Sequence, residues 1–355
     1  MYNPNNSVMP SQKNLSFLQD KKIVVTGGAG FLGTHVVAEL IKRGVTLNNL
    51  FIPRSKELDL RLKSNCRKVT KGADLVIHLA GNVGGIGKNQ EFPATIFYDN
   101  AIMGIELMEA ARRNNVKKFV CIGTICSYPK YTPVPFREDD LWIGYPEETN
   151  APYGLAKKML LTQSQSYRQQ YNFNSIYLLQ VNLYGPGDNF HPDSSHVIPA
   201  LIKKIVDAKE SNQKYIEVWG DGTPTREFLY VEDAARGIVM ATERYDKEHP
   251  VNLGSGMEIP IKELVESITK LLHFKGEIHY DTTKPNGQPR RLLDITLAYK
   301  EFGFKAKVPF RIGLKKTIDW YLKNKQSLVS GETKQSLLLR NKQSLLLRNR
   351  KNLYG

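Results

Sequence analysis

Residues Ile23-Val-Val-Thr-Gly-Gly-Ala-Gly-Phe-Leu-Gly33 decide the fold. A short apolar run ends in a glycine-rich turn, and the turn opens onto apolar residues at helical spacing: Leu32, Val36, Val37, Leu40 and Ile41. Gly27, Gly28, Gly30 and Gly33 satisfy both G-x-x-G-x-x-G and G-x-G-x-x-G. Between a strand and a helix, that spacing gives a tight turn whose backbone comes close to a pyrophosphate at the helix N-terminus. Gly27, Gly28, Ala29, Gly30, Phe31, Leu32 and Gly33 are therefore the expected cofactor loop.

The same alternation continues outward. Asp74–Ala80 reads as a buried strand closed by Gly81, 99–114 as a helix, and 118–122 as a strand. Residues 152–170 form a long helical stretch before the strand 175–179. Apolar strands separated by helices mean βαβ units, and the right-handed crossover rule makes them a doubly wound parallel sheet. Beyond Asn182 the texture changes: Gly185-Pro186-Gly187 and Pro192 mark a loop, and 196–208 has helical spacing. Residues 228–253 return to the strand–helix–strand pattern. The expected architecture is α/β, a Rossmann-type doubly wound parallel sheet with a smaller, discontinuous α/β substrate-binding domain. The first domain takes 21–182 plus 228–253, and the second 183–227 plus 254–324. Residues 1–20 read as a flexible N-terminal segment and 325–355 as a poorly ordered basic tail.

Composition narrows the functional classes. The chain has 355 residues and a formal net charge of +15. Much of that charge sits in the tail, where 325–355 carries seven lysines and arginines against the single acid Glu332. There Lys334-Gln-Ser-Leu-Leu-Leu-Arg-Asn341 recurs as 342–349, a duplication far shorter than the ~20 residues of a solenoid repeat. The remaining excess suits anionic small molecules, and no nucleic-acid partner is expected. No run reaches the ~18 apolar residues of a membrane span, and no secretory h-region stands at the N-terminus. Three cysteines, Cys66, Cys121 and Cys126, are an odd set that argues against a disulfide framework, so a cytoplasmic protein is expected. Metal-site spacings, a P-loop and a G-x-S-x-G elbow are all absent from the sequence.

Two further features carry chemistry. Where an acid would accept a ribose 2′-hydroxyl, the chain reads Phe51-Ile-Pro-Arg54-Ser-Lys56, with its first acid at Glu57. Arg54 suits a 2′-phosphate, which points to NADPH rather than NADH. Tyr153 and Lys157 stand at i, i+4 just after Pro152, so they share one helix face. An ammonium beside a phenol favours phenolate, and the pair can exchange a proton with a carbonyl oxygen during hydride transfer.

With these residues in place, 21–324 resembles the extended short-chain dehydrogenase/reductase superfamily. The resemblance implies that Thr124 takes the place of the serine that hydrogen-bonds the reacting carbonyl. Six finer motifs are similar to the GDP-L-fucose synthase family: Val83-Gly-Gly-Ile86, Cys126-Ser-Tyr-Pro-Lys130, Asn182-Leu-Tyr-Gly-Pro-Gly-Asp-Asn-Phe-His-Pro192, Ser195-His-Val-Ile-Pro-Ala200, 219–228 and 288–294. That resemblance implies NADPH-dependent conversion of GDP-4-keto-6-deoxy-D-mannose, with C3 and C5 epimerised and the C4 ketone then reduced. It implies Cys126 and His196 as the epimerisation base and acid, with Asn182, Leu183, Lys157 and His196 also at the cofactor. It implies Lys204, Trp219, Arg226 and Arg291 at the GDP-sugar, and a homodimer. The chain departs from the family pattern at Ala29 and at Phe31-Leu32 in the glycine loop, at Asn82 where a lysine is expected, and at Thr124. Ile125-Cys126 replaces the Asp-Glu pair of a 4,6-dehydratase. The alternatives are an enzyme for a related nucleotide sugar on the same fold and a non-catalytic NADP-binding module.

Overall fold

The computed structural model describes residues 17–192, 194–284 and 286–329. In chain order the elements are β1 (Ile23–Thr26), α1 (Phe31–Lys42), β2 (Leu50–Phe51), α2 (Lys63–Thr70), β3 (Leu75–His78), α3 (Ile86–Glu91) and α4 (Pro93–Arg113). There follow β4 (Lys118–Thr124), α5 (Ala151–Tyr171), β5 (Ser175–Gln180), β6 (Asn182–Tyr184), α6 (Val197–Glu210), β7 (Tyr215–Trp219) and β8 (Thr225–Tyr230). The last are α7 (Val231–Arg244), β9 (Val251–Leu253), β10 (Glu258–Pro260), α8 (Ile261–Leu272), β11 (Glu277–Asp281), α9 (Thr296–Phe302) and α10 (Phe310–Val329).

Six strands form one sheet in the order β2-β1-β3-β4-β5-β9, and every pairing is parallel. β1, β3, β4 and β5 are buried along their whole length, as strands covered on both faces must be. α1 packs with α7, while α4 packs with α2 and α5. From β1 the chain goes one way to β2 and the other way to β3, so a crevice opens at the carboxyl ends of β1 and β3. The helix expected at 99–114 starts earlier, because Pro93 supplies a preorganised first turn.

A second body sits above that edge. β10, β8 and β6 form a three-stranded sheet, and β11 pairs in parallel with β7. Its core gathers Tyr184, Ile202, Ile205, Phe228, Leu264, Ile268 and Leu314. β8 is shared between the two bodies: Leu229 packs into the first core, while Phe228 and Tyr230 pack into the second.

The structure differs from the expected domains in three places. Residues 254–324 are not all in the second body, since Leu293, Ala298, Phe302 and Phe304 pack into the first core. α9 lies against β9 and α7, covering an edge strand that would otherwise be open. The supposedly flexible 1–20 is anchored at its end: Leu18 is fully buried in the first core, and Gln19 O accepts a 3.0 Å hydrogen bond from Asn49 Nδ2. Residues 1–16 lie outside the described residues, as does the repeat tail from 330 onward. The start of that tail is helical, because α10 runs on to Val329 and Lys325 pairs with Glu210. Among the described residues no helix is long and apolar enough to cross a membrane.

If Leu18 belongs to the core, Leu18→Ala lowers the unfolding free energy by about 2–5 kcal/mol. Urea unfolding of the full chain measures this, and an unchanged midpoint would return the segment to the surface.

Candidate active site

A cleft of about 1900 Å³ runs between the two bodies, with its floor on the carboxyl edge of the large sheet. This exceeds the roughly 300–1,000 Å³ of a drug-sized pocket, and it has room for two nucleotide-sized ligands.

One end is the turn between β1 and α1. Gly27 adopts φ +69°, and a Cβ on Gly33 would lie 2.1 Å from Gly27 O, so this turn tolerates no side chain at either position. α1 has no side-chain cap at Gly30 and no acid in its first turn, which leaves its backbone N–H groups and positive end free for an anion. The loop therefore fits a dinucleotide pyrophosphate. Gly27, Ala29, Gly30, Phe31, Leu32 and Gly33 line the cleft, but Gly28 does not. A Cβ on Gly28 would meet Val25 O and Ile52 Cγ2, so its glycine is required by packing behind the loop. Arg54 is exposed on the cleft wall with Ser55 and Lys56. Arg61 stands on the same wall, held by Asp59 at 2.7 Å and Asp99 at 3.3 Å. Asn82 bridges to this group, its Nδ2 donating to Asp99 at 3.0 Å and its Oδ1 accepting from Lys88 Nζ at 2.7 Å. A lysine thus reaches the place where the sequence put asparagine, from α3 instead of the strand end.

The reacting centre is built where α5 meets β4. Ser127 Oγ donates to Gly154 O at 2.9 Å, and Tyr177 Oη donates to Lys157 O at 2.8 Å, pinning the helix on the sheet. A Cβ on Gly154 would lie 2.2 Å from Cys126 O, so the glycine beside Tyr153 lets helix and loop touch. Tyr153, Lys157, Thr124 and Cys126 all line the cleft there. Lys157 is buried, and burial lowers its pKa. Burial pushes the Tyr153 phenol above its ordinary range. Where the ammonium was expected to favour phenolate, burial works the other way and favours the protonated phenol.

Cys126 sits between a donor and an acceptor. Arg291 Nη1 approaches its Sγ at 3.6 Å, and the thiol faces Asn150 Oδ1 at 3.8 Å. Asn150 is itself held by Glu147, whose buried carboxylate also accepts from Thr149. Those hydrogen bonds outweigh burial and hold the Glu147 pKa below its usual value. His196 caps α6 and is exposed to the cleft, yet protein mass around it lowers its pKa, so the imidazole is mostly neutral at neutral pH.

The upper wall is cationic. Arg226 donates to Gln288 O at 2.6 Å and Thr225 O at 2.8 Å, and Arg291 donates to Gln288 Oε1 at 2.8 Å. Burial, then the neighbouring Arg291 charge, brings Arg226 down to about 9, still a cation at neutral pH. Lys204 and Trp219 are exposed at the rim, with Lys204 Nζ donating to Glu217 O at 2.7 Å and Lys284 lying over the Trp219 ring. Asn182 and Leu183 line the cleft at β6. Glu147 and Asn150 were missed in the sequence, although both lie within six residues of Tyr153. Gln180, the buried polar end of β5, was missed as well.

This arrangement has known counterparts. Residues 23–254 match the NAD dependent epimerase/dehydratase family. The chain belongs to that family. It is 39% identical over 324 residues to Probable GDP-L-fucose synthase 1 of Oryza sativa subsp. japonica, covering 90% of this chain and 98% of the relative. It is 37% identical over 310 residues to the GDP-L-colitose synthase of Yersinia pseudotuberculosis, covering 86% and 99%. Among solved structures, a GDP-L-fucose synthetase from Naegleria fowleri bound to NADP superposes with a TM-score of 0.78 at 28% identity, covering 88% of this chain and 97% of that one. As a family member with an intact glycine loop, the protein uses a nicotinamide cofactor, which supplies hydride chemistry when bound.

Glu227 lies at the seam of the two bodies. Burial pushes its carboxyl up to about 7, against hydrogen bonds from Leu293, Gly256 and Ser255 that pull it down. Between pH ~4.5 and 7 the unfolded carboxyl gives up its proton while the folded one retains it. This group's contribution to stability is therefore complete at low pH and is lost as pH rises to 7. Relative to Glu227→Gln, the wild-type urea midpoint falls across that window and is level above it. A pH-independent difference would refute the assignment.

Proposed function

We propose that this protein is a GDP-L-fucose synthase: it epimerises C3 and C5 of GDP-4-keto-6-deoxy-D-mannose and then reduces C4 with NADPH. One observation carries this reading. The cleft that holds Tyr153 and Lys157 also holds Cys126, fixed between Arg291 and Asn150, and a plain reductase has no use for that thiol. The identity with GDP-L-fucose synthases over nearly the whole chain supports the same substrate class.

A ketone at C4 acidifies the hydrogens on C3 and C5. At each carbon a proton leaves one face and another arrives on the opposite face, with no net gain or loss. Cys126 and His196 are the two groups that exchange these protons, a thiol near cationic Arg291 and a mostly neutral imidazole. In the reduction, Tyr153 passes its phenolic proton to the C4 oxygen as hydride reaches the carbon. Thr124 donates a hydrogen bond to the same oxygen, and Lys157 stabilises the phenolate that remains. Arg226 and Arg291 pair with the diphosphate, Lys204 adds charge at the rim, and Trp219 lies against a ring face. Arg54 meets the cofactor's 2′-phosphate, which makes NADPH the reductant.

A second reading, a related GDP-keto-sugar as substrate, is supported by the 37% identity to the GDP-L-colitose synthase. Free Cys66, Cys121 and Cys126 support a cytoplasmic setting. Exposed Phe97 and Tyr98 on α4, with Met159 on α5, support a homodimer, which light scattering on a sizing column measures.

The decisive experiment is NMR of a reaction in heavy water with GDP-4-keto-6-deoxymannose and NADPH. Deuterium at C3 and C5 of a GDP-fucose product is the expected result, and exchange without NADPH oxidation would remove the reductase half. Cys126→Ser slows exchange at least ~100-fold, while Tyr153→Phe retains exchange and loses NADPH oxidation. Equal loss of both in the Tyr153 variant would contradict the division of roles. Arg54→Ala raises KM for NADPH about 10-fold or more and leaves NADH unaffected, as steady-state kinetics with each reductant will show.

A further inference from the structure

The last residue of β5 carries a side chain that the roles above do not use. Gln180 is 5% exposed, and among the described residues neither its Oε1 nor its Nε2 has a hydrogen-bond partner. It lines the cleft floor at the carboxyl edge of the large sheet. Its register partners are Thr124 on β4 and Leu253 on β9, so its side chain leaves the sheet on the same face as that of Thr124. An apolar residue would fill this place without leaving a buried amide unpaired, which is a costly arrangement.

We propose that Gln180 is a cofactor-positioning residue whose amide pairs with the carboxamide of the nicotinamide ring. The inference rests on the nicotinamide chemistry proposed above and adds a residue to it. A group that satisfies both Gln180 atoms at once must donate and accept side by side. Phosphates and ketones only accept. A carboxamide does both in one plane. Its place follows from chemistry: the carboxamide is on the ring carbon next to the one that gives up hydride, and that carbon must meet the sugar carbon whose oxygen faces Tyr153 and Thr124. Gln180 neighbours Thr124 in the sheet. Guanine also offers a donor and an acceptor, but it stands a nucleoside diphosphate's length away from the reacting carbon. Paired in this way, Gln180 selects which face of the ring is turned toward the substrate, because turning the ring over would carry the carboxamide away from the sheet edge.

The test is binding, measured by calorimetry on the full chain and on Gln180→Met, a variant of similar length and no amide. Three cofactor probes are used, with GDP-mannose as a sugar-nucleotide control: NADP+, its 3-acetylpyridine analogue in which a methyl replaces the amide nitrogen, and 2′-phospho-ADP-ribose, which lacks the ring. The wild type should bind NADP+ on the order of tenfold more tightly than the acetylpyridine analogue. Gln180→Met should bind those two within about twofold of each other, with its affinity for 2′-phospho-ADP-ribose equal to the wild type's and its urea midpoint no lower. If the variant discriminates as the wild type does, or weakens on all three probes alike, the proposal fails. Weakened GDP-mannose binding with NADP+ affinity intact would overturn it in favour of a sugar contact. A wild type that binds none of the three probes would instead sink the cofactor reading on which the proposal stands.

Discussion

The two bodies of this protein meet at one buried carboxyl. Glu227 lies on β8, the strand whose neighbouring residues serve both cores. Its Oε1 accepts from Ser255 N at 2.5 Å and Gly256 N at 2.7 Å, and its Oε2 accepts from Leu293 N at 2.8 Å. Those partners belong to the segment leaving β9 and to the segment returning toward α9. Arg226 precedes Glu227, and Arg291 stands two residues before Leu293. The cationic wall is therefore held by a group that never faces the substrate. A buried acceptor with several donors is expensive to disturb, because each donor left behind is also buried. The same strand ties the stability of the fold to the position of the site.

The free site is arranged for ligands in several places at once. Arg226 and Arg291 are close enough for each charge to oppose the other, a strain that an anion between them relieves. The first turn of α1 presents uncapped N–H groups with no acid nearby. Burial favours the protonated phenol of Tyr153 and lowers the pKa of the buried Lys157, which suits the proton-donor role proposed for the pair. Each feature is matched by charge or a polar group entering the cleft. Preorganisation of this kind stabilises a transition state because the protein's dipoles need not move during the reaction.

Much of this was legible in the sequence where one residue type has one physical reason. A glycine at positive φ, and another with no room for a Cβ, leave an unmistakable pattern at 27 and 33. The i, i+4 pair at 153 and 157 needs only helical geometry. What escaped depends on distant partners. Gly28 counts toward the motif but faces Val25 and Ile52 behind the loop. Burial of the phenol, which reverses the influence expected of Lys157, is invisible until β4, β5 and α5 are assembled. The return of Leu293, Ala298, Phe302 and Phe304 to the first core follows from the need to cover β9, whose edge position cannot be read from local pattern. Leu18 looked like part of a polar leader for the same reason: one apolar residue has no periodicity.

The distinctive chemistry lies in a short loop. The glycine turn, Tyr153 and Lys157 supply what any carbonyl reductase on this sheet requires. Past the end of β4 the chain makes one short 3₁₀ turn, Ile125–Ser127, and Thr124 accepts a hydrogen bond from Cys126 N at 3.2 Å to close it. That turn sets the thiol between Arg291 and Asn150 on the wall that also carries Tyr153. The contact at Gly154 holds the turn against α5, so the thiol and the phenol keep one spacing whatever the second body does. On the function proposed above, proton exchange and reduction share a single ketone: the C4 carbonyl that acidifies C3 and C5 is the group later reduced, and reduction ends the exchange by removing the acidity. Exchange must therefore precede reduction, because the product of the second half-reaction no longer undergoes the first.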